Sequence, residues 1–286
     1  MGYYWGMGTE IAGSQFPAEL RRWRGTRRVS QLELATRAGT TQRHLSFIES
    51  GRSHPGRAMV LRLAESLGLT LRERNGLLHS AGFAPAFAES ALDEPALRPV
   101  RAAMAGILAG HLPCPAVIAG PHGELIAANE AFDVLTEGAA DRLLQPPVNV
   151  LRLALHPDGT ARRVRNLPEW GRHIVESLRM RARSSPDPAL DRLADELAGY
   201  LPPLAPGPGH LGFAVPLRLG CREGELRLIT TLTSFVTAVD VTLAELKLEA
   251  FLPADEETAR LLRARATARD RAGAEAPRAA STPGED

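Results

Sequence analysis

The chain has 286 residues, 44% of them apolar, which is enough for two ordinary domains that each bury a core. It contains no run of about 18 apolar residues that would cross a membrane, and its start lacks the basic and apolar segments of an export signal. These features predict a cytoplasmic protein with no membrane partner. Cys114 and Cys221 are the only cysteines, and neither has Cys or His at metal-ligand spacing, so we expect two small buried side chains and no metal.

The formal net charge of +1 hides an uneven distribution along the chain. Residues 16–82 contain twelve Arg against five Glu, a local net charge of +7, whereas residues 83–286 carry −5. This asymmetry favours attraction of the first region to a polyphosphate such as DNA. Lys247 is the only lysine, and the general preference for Arg is not taken as functional.

Helical periodicity begins at Phe16, whereas residues 1–14 show no period and are predicted to be a disordered N-terminus. Ser30 is a suitable N-cap with Glu33 three residues later, and Gly39 is a suitable helix end. We therefore predict an all-α, five-helix DNA-binding domain over 15–82, with helices at about 16–26, 30–38, 41–49, 56–67 and 70–81.

The predicted helix 41–49 has one apolar and one polar face. Leu45 and Ile48 would point into the core, which turns Gln42, Arg43 and Phe47 outward. Gln and Arg make two-point hydrogen bonds to adenine and guanine edges in the major groove, and an aromatic ring can meet a thymine methyl group. This face is therefore predicted to read DNA.

Three other polar residues are predicted to hold the DNA backbone. Gln31, which begins the preceding helix, is placed to contact a phosphate, and Arg52 and Arg57 would add charge contacts that position the protein without reading sequence. An alternative is that this helical unit is retained only for pairing with another protein.

The run SQLELATRAGTTQRHLSFIESGR, residues 30–52, resembles the helix-turn-helix of the Xre/Cro family of phage-repressor-like regulators. The resemblance implies that an Arg of the first helix pairs with the Glu that ends the third, here Arg24 and Glu49, as a structural clamp. It also implies that the positions contacting DNA are Gln31, Thr41, Gln42, Arg43 and Phe47.

Residues 83–99 are rich in Pro and Ala and are predicted to be a linker to a second domain, 100–264. Apolar and polar patterns there predict antiparallel strands covered by helices, so that the whole chain is α+β. The Ala-, Arg- and Pro-rich residues 265–286 are predicted to be a disordered tail. The individual predictions are helices at about 98–110, 129–137, 168–183 and 187–199, a hairpin from PAVIAG to ELIAAN, and strands at 211–219, 224–236 and about 246–252.

The second domain resembles the ligand-binding domain of MmyB-like regulators. The motifs are PAVIAGPHGELIAANEAF, VNVLRLALHPDG, LPEW with SLR following it, and SSPDPALDRLADEL. The resemblance implies a PAS-like sheet curved around an apolar cavity and an acyl chain, such as a fatty acid, as effector, with no other cofactor. The sequence departs from the pattern after Tyr200, where a Pro/Gly stretch replaces a longer polar segment.

An amphiphile needs apolar walls and one or two polar anchors, and an Arg can offer two parallel donors to a carboxylate. Each candidate also has a plain structural interpretation, such as an N-cap, a turn or a core side chain. The candidates for the pocket are Asn129, Asn149, Arg152, Trp170 and Arg179.

Catalytic interpretations find little support. His156 and Asp158 lie in HPDG, which is typical of a turn, and the Thr-rich run around Ser234 predicts a strand. No nucleophile elbow, phosphate loop or dinucleotide fingerprint occurs, so we do not expect an enzyme. The leading hypothesis is a homodimeric transcription regulator that binds a double-stranded operator and an apolar small molecule. The alternative is a second domain that dimerises or docks a protein without any effector.

Overall fold

The computed structural model describes residues 9–202, 215–235 and 238–275. The described residues form two compact units, the first made of residues 9–92 with 238–244 and the second of residues 93–202, 215–235 and 245–275. The chain therefore passes from one unit to the other three times. Within the described ranges, no helix is both long and apolar enough to cross a membrane.

The first unit contains the five helices that the sequence predicts. Their apolar faces meet in one core, in which Leu20, Leu34 and Ile48 are completely buried. The prediction is wrong at the start of the chain, because the first helix already begins at Thr9, within the segment predicted to be disordered. The helices are α1 (Thr9–Thr26), α2 (Gln31–Arg37), α3 (Gln42–Glu49), α4 (Arg57–Ser66) and α5 (Leu71–Ser80).

The predicted linker 83–99 is not a free connector. The Asn75 side chain accepts hydrogen bonds from the backbone N–H groups of Ala86 and Phe87 and donates one to the Phe87 carbonyl. Phe83 and Ala86 pack against the core of the first unit. The beginning of this segment is therefore part of the helical unit, and its end already forms a 3-10 turn at Pro95–Leu97.

The second unit is a five-stranded antiparallel sheet with helices, in the strand order β2-β1-β5-β4-β3. The strands are β1 (Ala116–Ala119), β2 (Leu125–Ala128), β3 (Leu217–Cys221), β4 (Gly224–Ser234) and β5 (Lys247–Pro253). The remaining helices of the chain are α6 (Arg98–Ala109), α7 (Asp133–Thr136), α8 (Asp141–Leu144), α9 (Val150–Leu155), α10 (Leu167–Ser184), α11 (Pro188–Gly199), α12 (Val241–Glu245) and α13 (Glu256–Glu275). All of them except α12 belong to the second unit, and α12 belongs to the first unit up to Ala244.

The register of the sheet decides which side chains share a face. Glu249 on β5 lies opposite Val117 on β1 and Leu232 on β4. Phe251 lies two residues further along β5 and faces Thr230. Since side chains alternate between the two faces of a strand, these residues and Lys247 point to the same side.

The structure corrects three other predictions in the second unit. The helix expected at 129–137 is a 3-10 turn at Glu130–Phe132 followed by the single-turn α7. The tail predicted to be disordered from 265 is helical to Glu275, because α13 packs on β4 and β5 with Leu262 buried. Alanine and arginine are strong helix formers, so this segment needs few apolar contacts to fold. The strand predicted at 211–219 begins at Leu217, and residues 203–214 lie outside the described part.

Candidate functional site

A buried ion pair holds α1 to α3 in the first unit. Arg24 donates from Nε and Nη2 to the two carboxylate oxygens of Glu49, at 2.7 and 3.0 Å, and from Nη1 to the Val29 carbonyl. Glu49 is only 2% exposed. The hydrogen bonds to Glu49 raise the pKa of Arg24 further, so the guanidinium stays charged. The structure therefore brings together the two residues that the resemblance pairs.

Gln31 belongs to the same cluster. Its Nε2 donates to Oε2 of Glu49 at 2.7 Å, which ties the first residue of α2 to the last residue of α3. This hydrogen bond occupies the side-chain Nε2 of Gln31, so the predicted phosphate contact by Gln31 would have to use its other polar groups. The polar cluster connects α1, α2 and α3 and fixes the angle between the last two.

The turn between α2 and α3 is set by local backbone hydrogen bonds. Gly39 adopts a φ of +64°, a conformation that glycine takes at little cost, and the N–H of Thr40 donates to the Ala35 carbonyl at 2.8 Å. Ser30 caps α2 as predicted, whereas the Glu33 side chain pairs with Arg37. Thr41 caps α3 by accepting the His44 N–H.

The outer face of α3 carries the predicted DNA-reading residues. Thr41, Gln42 and Arg43 are exposed, and Phe47 is half-buried. The Arg43 guanidinium lies 5.5 Å from the centre of the Phe47 ring, which is cation–π distance. These four residues therefore lie together at the N-terminal end and on the outer face of α3.

Arg52 and Arg57 lie on either side of the loop after α3, and both are exposed. The Arg52 N–H donates to the Phe47 carbonyl at 2.9 Å, so the backbone at Arg52 is fixed to α3. Arg57 is the first residue of α4. Both guanidinium groups are available to a phosphate chain that follows this surface.

The second unit contains a cavity of about 220 Å³ between the sheet and α10. The side of α10 that lines it follows helical spacing from Trp170 to Arg181. At 1.5 Å per residue, this side is roughly 16 Å long. The α10 residues concerned are Trp170, His173, Ile174, Ser177, Leu178 and Arg181, and the sheet contributes Val117, Ala119, Leu217, Thr230, Leu232, Lys247, Glu249 and Phe251.

Three charged side chains line this cavity. Arg181 donates from Nη2 to the Pro121 carbonyl at 2.8 Å, and Lys247 donates from Nζ to Ser234 Oγ at 2.8 Å. Burial lowers the pKa of Arg181 and, with help from Arg181, that of Lys247. Burial raises the pKa of Glu249, against the opposing effect of Arg181. Among the described residues, no group hydrogen-bonds to the Glu249 carboxylate.

Of the five predicted pocket residues, the structure brings only Trp170 to the cavity. Asn129 is corrected to a structural residue, because its side chain bonds the backbone at Ala116, Leu108 and Cys114. Asn149 caps α9. Arg152 pairs with Glu196, and Arg179 pairs with Asp195 on α11, so these two guanidinium groups are directed away from the cavity lining.

Sequence reasoning missed Arg181, Lys247 and Glu249. Periodicity could have identified Arg181, which lies eleven residues, or three helical turns, after Trp170, whereas Arg179 lies on another side of α10. Alternation with Phe251 along β5 could have identified Lys247 and Glu249. The missing information was which face of each element is turned to the cavity.

A helix-turn-helix with exposed polar residues on its second helix, joined to a unit with a lined cavity, defines a DNA-binding transcription regulator with a ligand-binding domain. Residues 100–264 match the MmyB-like transcription regulator ligand binding domain, and residues 20–74 match a helix-turn-helix family. The chain belongs to the MmyB-like transcription regulators. Both families are regulatory and not enzymatic. A search of curated proteins finds no match to the chain.

We expect Arg24→Met to lower the free energy of unfolding by about 3 kcal/mol, because it leaves Glu49 buried with only Gln31 as partner. Chemical denaturation of the full chain measures this loss. Glu19→Gln is the matched control, since it removes the exposed ion pair to Arg22 on the same helix and should cost at most about 1 kcal/mol. Equal losses in the two variants would contradict the clamp.

We expect Glu249→Gln to stabilise the ligand-free protein at about pH 8 and to have little effect near pH 4. A carboxyl group whose folded-state pKa is raised favours folding while it is protonated, and this contribution is lost as the pH rises through that pKa. The difference in Tm between the two proteins, followed across this pH range, should therefore grow with pH. A constant difference would show that the charge of Glu249 carries no folding penalty.

Proposed function

We propose that this regulator binds its operator as a homodimer and that an amphiphile with an apolar chain, such as a fatty acid, changes its affinity for DNA. The cavity is the observation that carries this proposal. Trp170, Phe251 and Leu217 supply apolar wall, and Arg181 and Lys247 supply cations for a carboxylate. Leu232 also lines the cavity and keeps 56% of its surface exposed, which an acyl chain would cover.

The dimer follows from the size of the reading surface. One helix such as α3 covers a half-site, and two copies would read positions about one helical turn of DNA apart. The effector must bind two arrangements of the protein with different affinity if it is to change DNA binding. The cavity favours this proposal over a second domain that serves only as a docking module.

The first experiment separates reading from positioning. An operator is selected from random duplex DNA with the purified protein, and affinities are measured at several salt concentrations. Arg43→Ala should reduce discrimination between operator and mismatched DNA by about 1–3 kcal/mol. Arg52→Ala should weaken binding to all DNA sequences alike, and it should reduce the slope of log affinity against log salt concentration by about one. Discrimination that survives Arg43→Ala would mean that α3 reads DNA through other residues.

The second experiment tests the cavity with dodecanoic acid as probe. Calorimetry on delipidated protein should show binding that Arg181→Met weakens roughly tenfold, since a hydrogen-bonded ion pair is lost. Arg179→Met is the matched control on the same helix, because Arg179 pairs with Asp195 outside the cavity lining, and it should leave affinity unchanged. Operator affinity is measured with and without the acid. If the acid does not bind, or if the two variants change its affinity equally, the proposal of a fatty-acid effector is wrong.

A further inference from the structure

Glu249 is the cavity residue that a simple fatty acid does not explain. It lies in the middle of the sheet, between Val117 and Leu232, and its side chain lines the cavity. Arg181 acts on it through space, but none of the described residues donates a hydrogen bond to its carboxylate. A carboxylate in such surroundings is costly unless a donor satisfies it.

The charges of the cavity lining restrict the net charge that a ligand can carry. Arg181, Lys247 and Glu249 all line the cavity, and with both basic groups protonated and the carboxyl group ionised the three side chains together carry one positive charge. Glu124 and Asp187 also act on Arg181, but they pair with His122 and are not part of the cavity lining. A ligand with one negative charge therefore balances the lined cavity.

Two simple head groups each leave part of this site unsatisfied. A plain carboxylate would pair with Arg181 and Lys247, but it would add a like charge near Glu249 and give that group no donor. A plain amine would satisfy Glu249 but add a third cation. A carboxylate with a neutral hydrogen-bond donor close to it meets both requirements.

We propose that the effector is a hydroxylated fatty acid, whose carboxylate binds Arg181 and Lys247 and whose hydroxyl donates a hydrogen bond to Glu249. This inference rests on the proposed function, since it assumes that the cavity holds an amphiphile. It assigns Glu249 the role of selecting the head group. A pocket with only apolar walls binds an acid with or without an added hydroxyl group almost equally well. A pocket with an acceptor that requires a donor strongly prefers the acid that carries the hydroxyl group.

Calorimetry with three matched acids tests the proposal: dodecanoic acid, α-hydroxydodecanoic acid and β-hydroxydodecanoic acid, at about pH 8, where the free carboxylates are ionised. At least one hydroxy acid should bind the full-length protein about tenfold more tightly than dodecanoic acid, as expected for a hydrogen bond to a charged group. Glu249→Met should abolish this preference and bind dodecanoic acid at least as tightly as the original chain does. If Glu249→Met fails to fold, Glu249→Gln, which keeps the shape, should reduce the preference.

The outcomes separate this inference from the function it rests on. Equal affinities for all three acids would overturn the role of Glu249 and leave the fatty-acid effector intact. A hydroxy-acid preference that survives Glu249→Met would also overturn it, because the hydroxyl would then bind elsewhere. No binding of any acid would instead overturn the proposed amphiphile effector and this inference with it.

Discussion

Removing the Glu49 carboxylate from water would cost several kcal/mol if its oxygens were left unpaired. Arg24 pairs with both oxygens and Gln31 bonds one of them, and these three residues come from three different helices. The orientation of α3 therefore depends on satisfying one buried charge. The exposed side chains of Gln42 and Arg43 on its outer face take no part in this cluster, which leaves them free to be specified by DNA.

The second unit treats the half-buried carboxylate of its cavity differently. Glu249 has no comparable donor among the described residues, and the cations near it are engaged with Pro121 and Ser234. A core built for stability alone would place an apolar side chain between Val117 and Leu232. A ligand that supplied a donor to Glu249 would gain affinity from that hydrogen bond.

The sequence predicts the first unit in detail because its signals are local. Ser30, Gly39 and the spacing of Leu45 and Ile48 define the helices and the outer face of α3 without any distant contact. In the second unit most elements and an apolar cavity are predicted, but most of the residues that line the cavity are not, because the lining depends on the register of β1, β4 and β5 and on the rotation of α10. Such pairings join residues that are far apart in sequence, and nothing local shows which side of α10 faces the sheet, so the predicted set contains Arg179 and lacks Arg181.

Lys247 is the only lysine in the chain, and it lines the cavity. Apart from the N-terminus, an amine-directed reagent therefore has a single target, and the basic DNA-reading unit offers only arginine. A ligand in the cavity would cover Lys247 and protect it from the reagent. The fraction of labelled protein, measured as intact mass, would therefore give the fraction of molecules with an empty cavity, even when the bound compound is unknown. Labelling of Lys247 thus reports whether the cavity is occupied at the position where we propose that the head group binds.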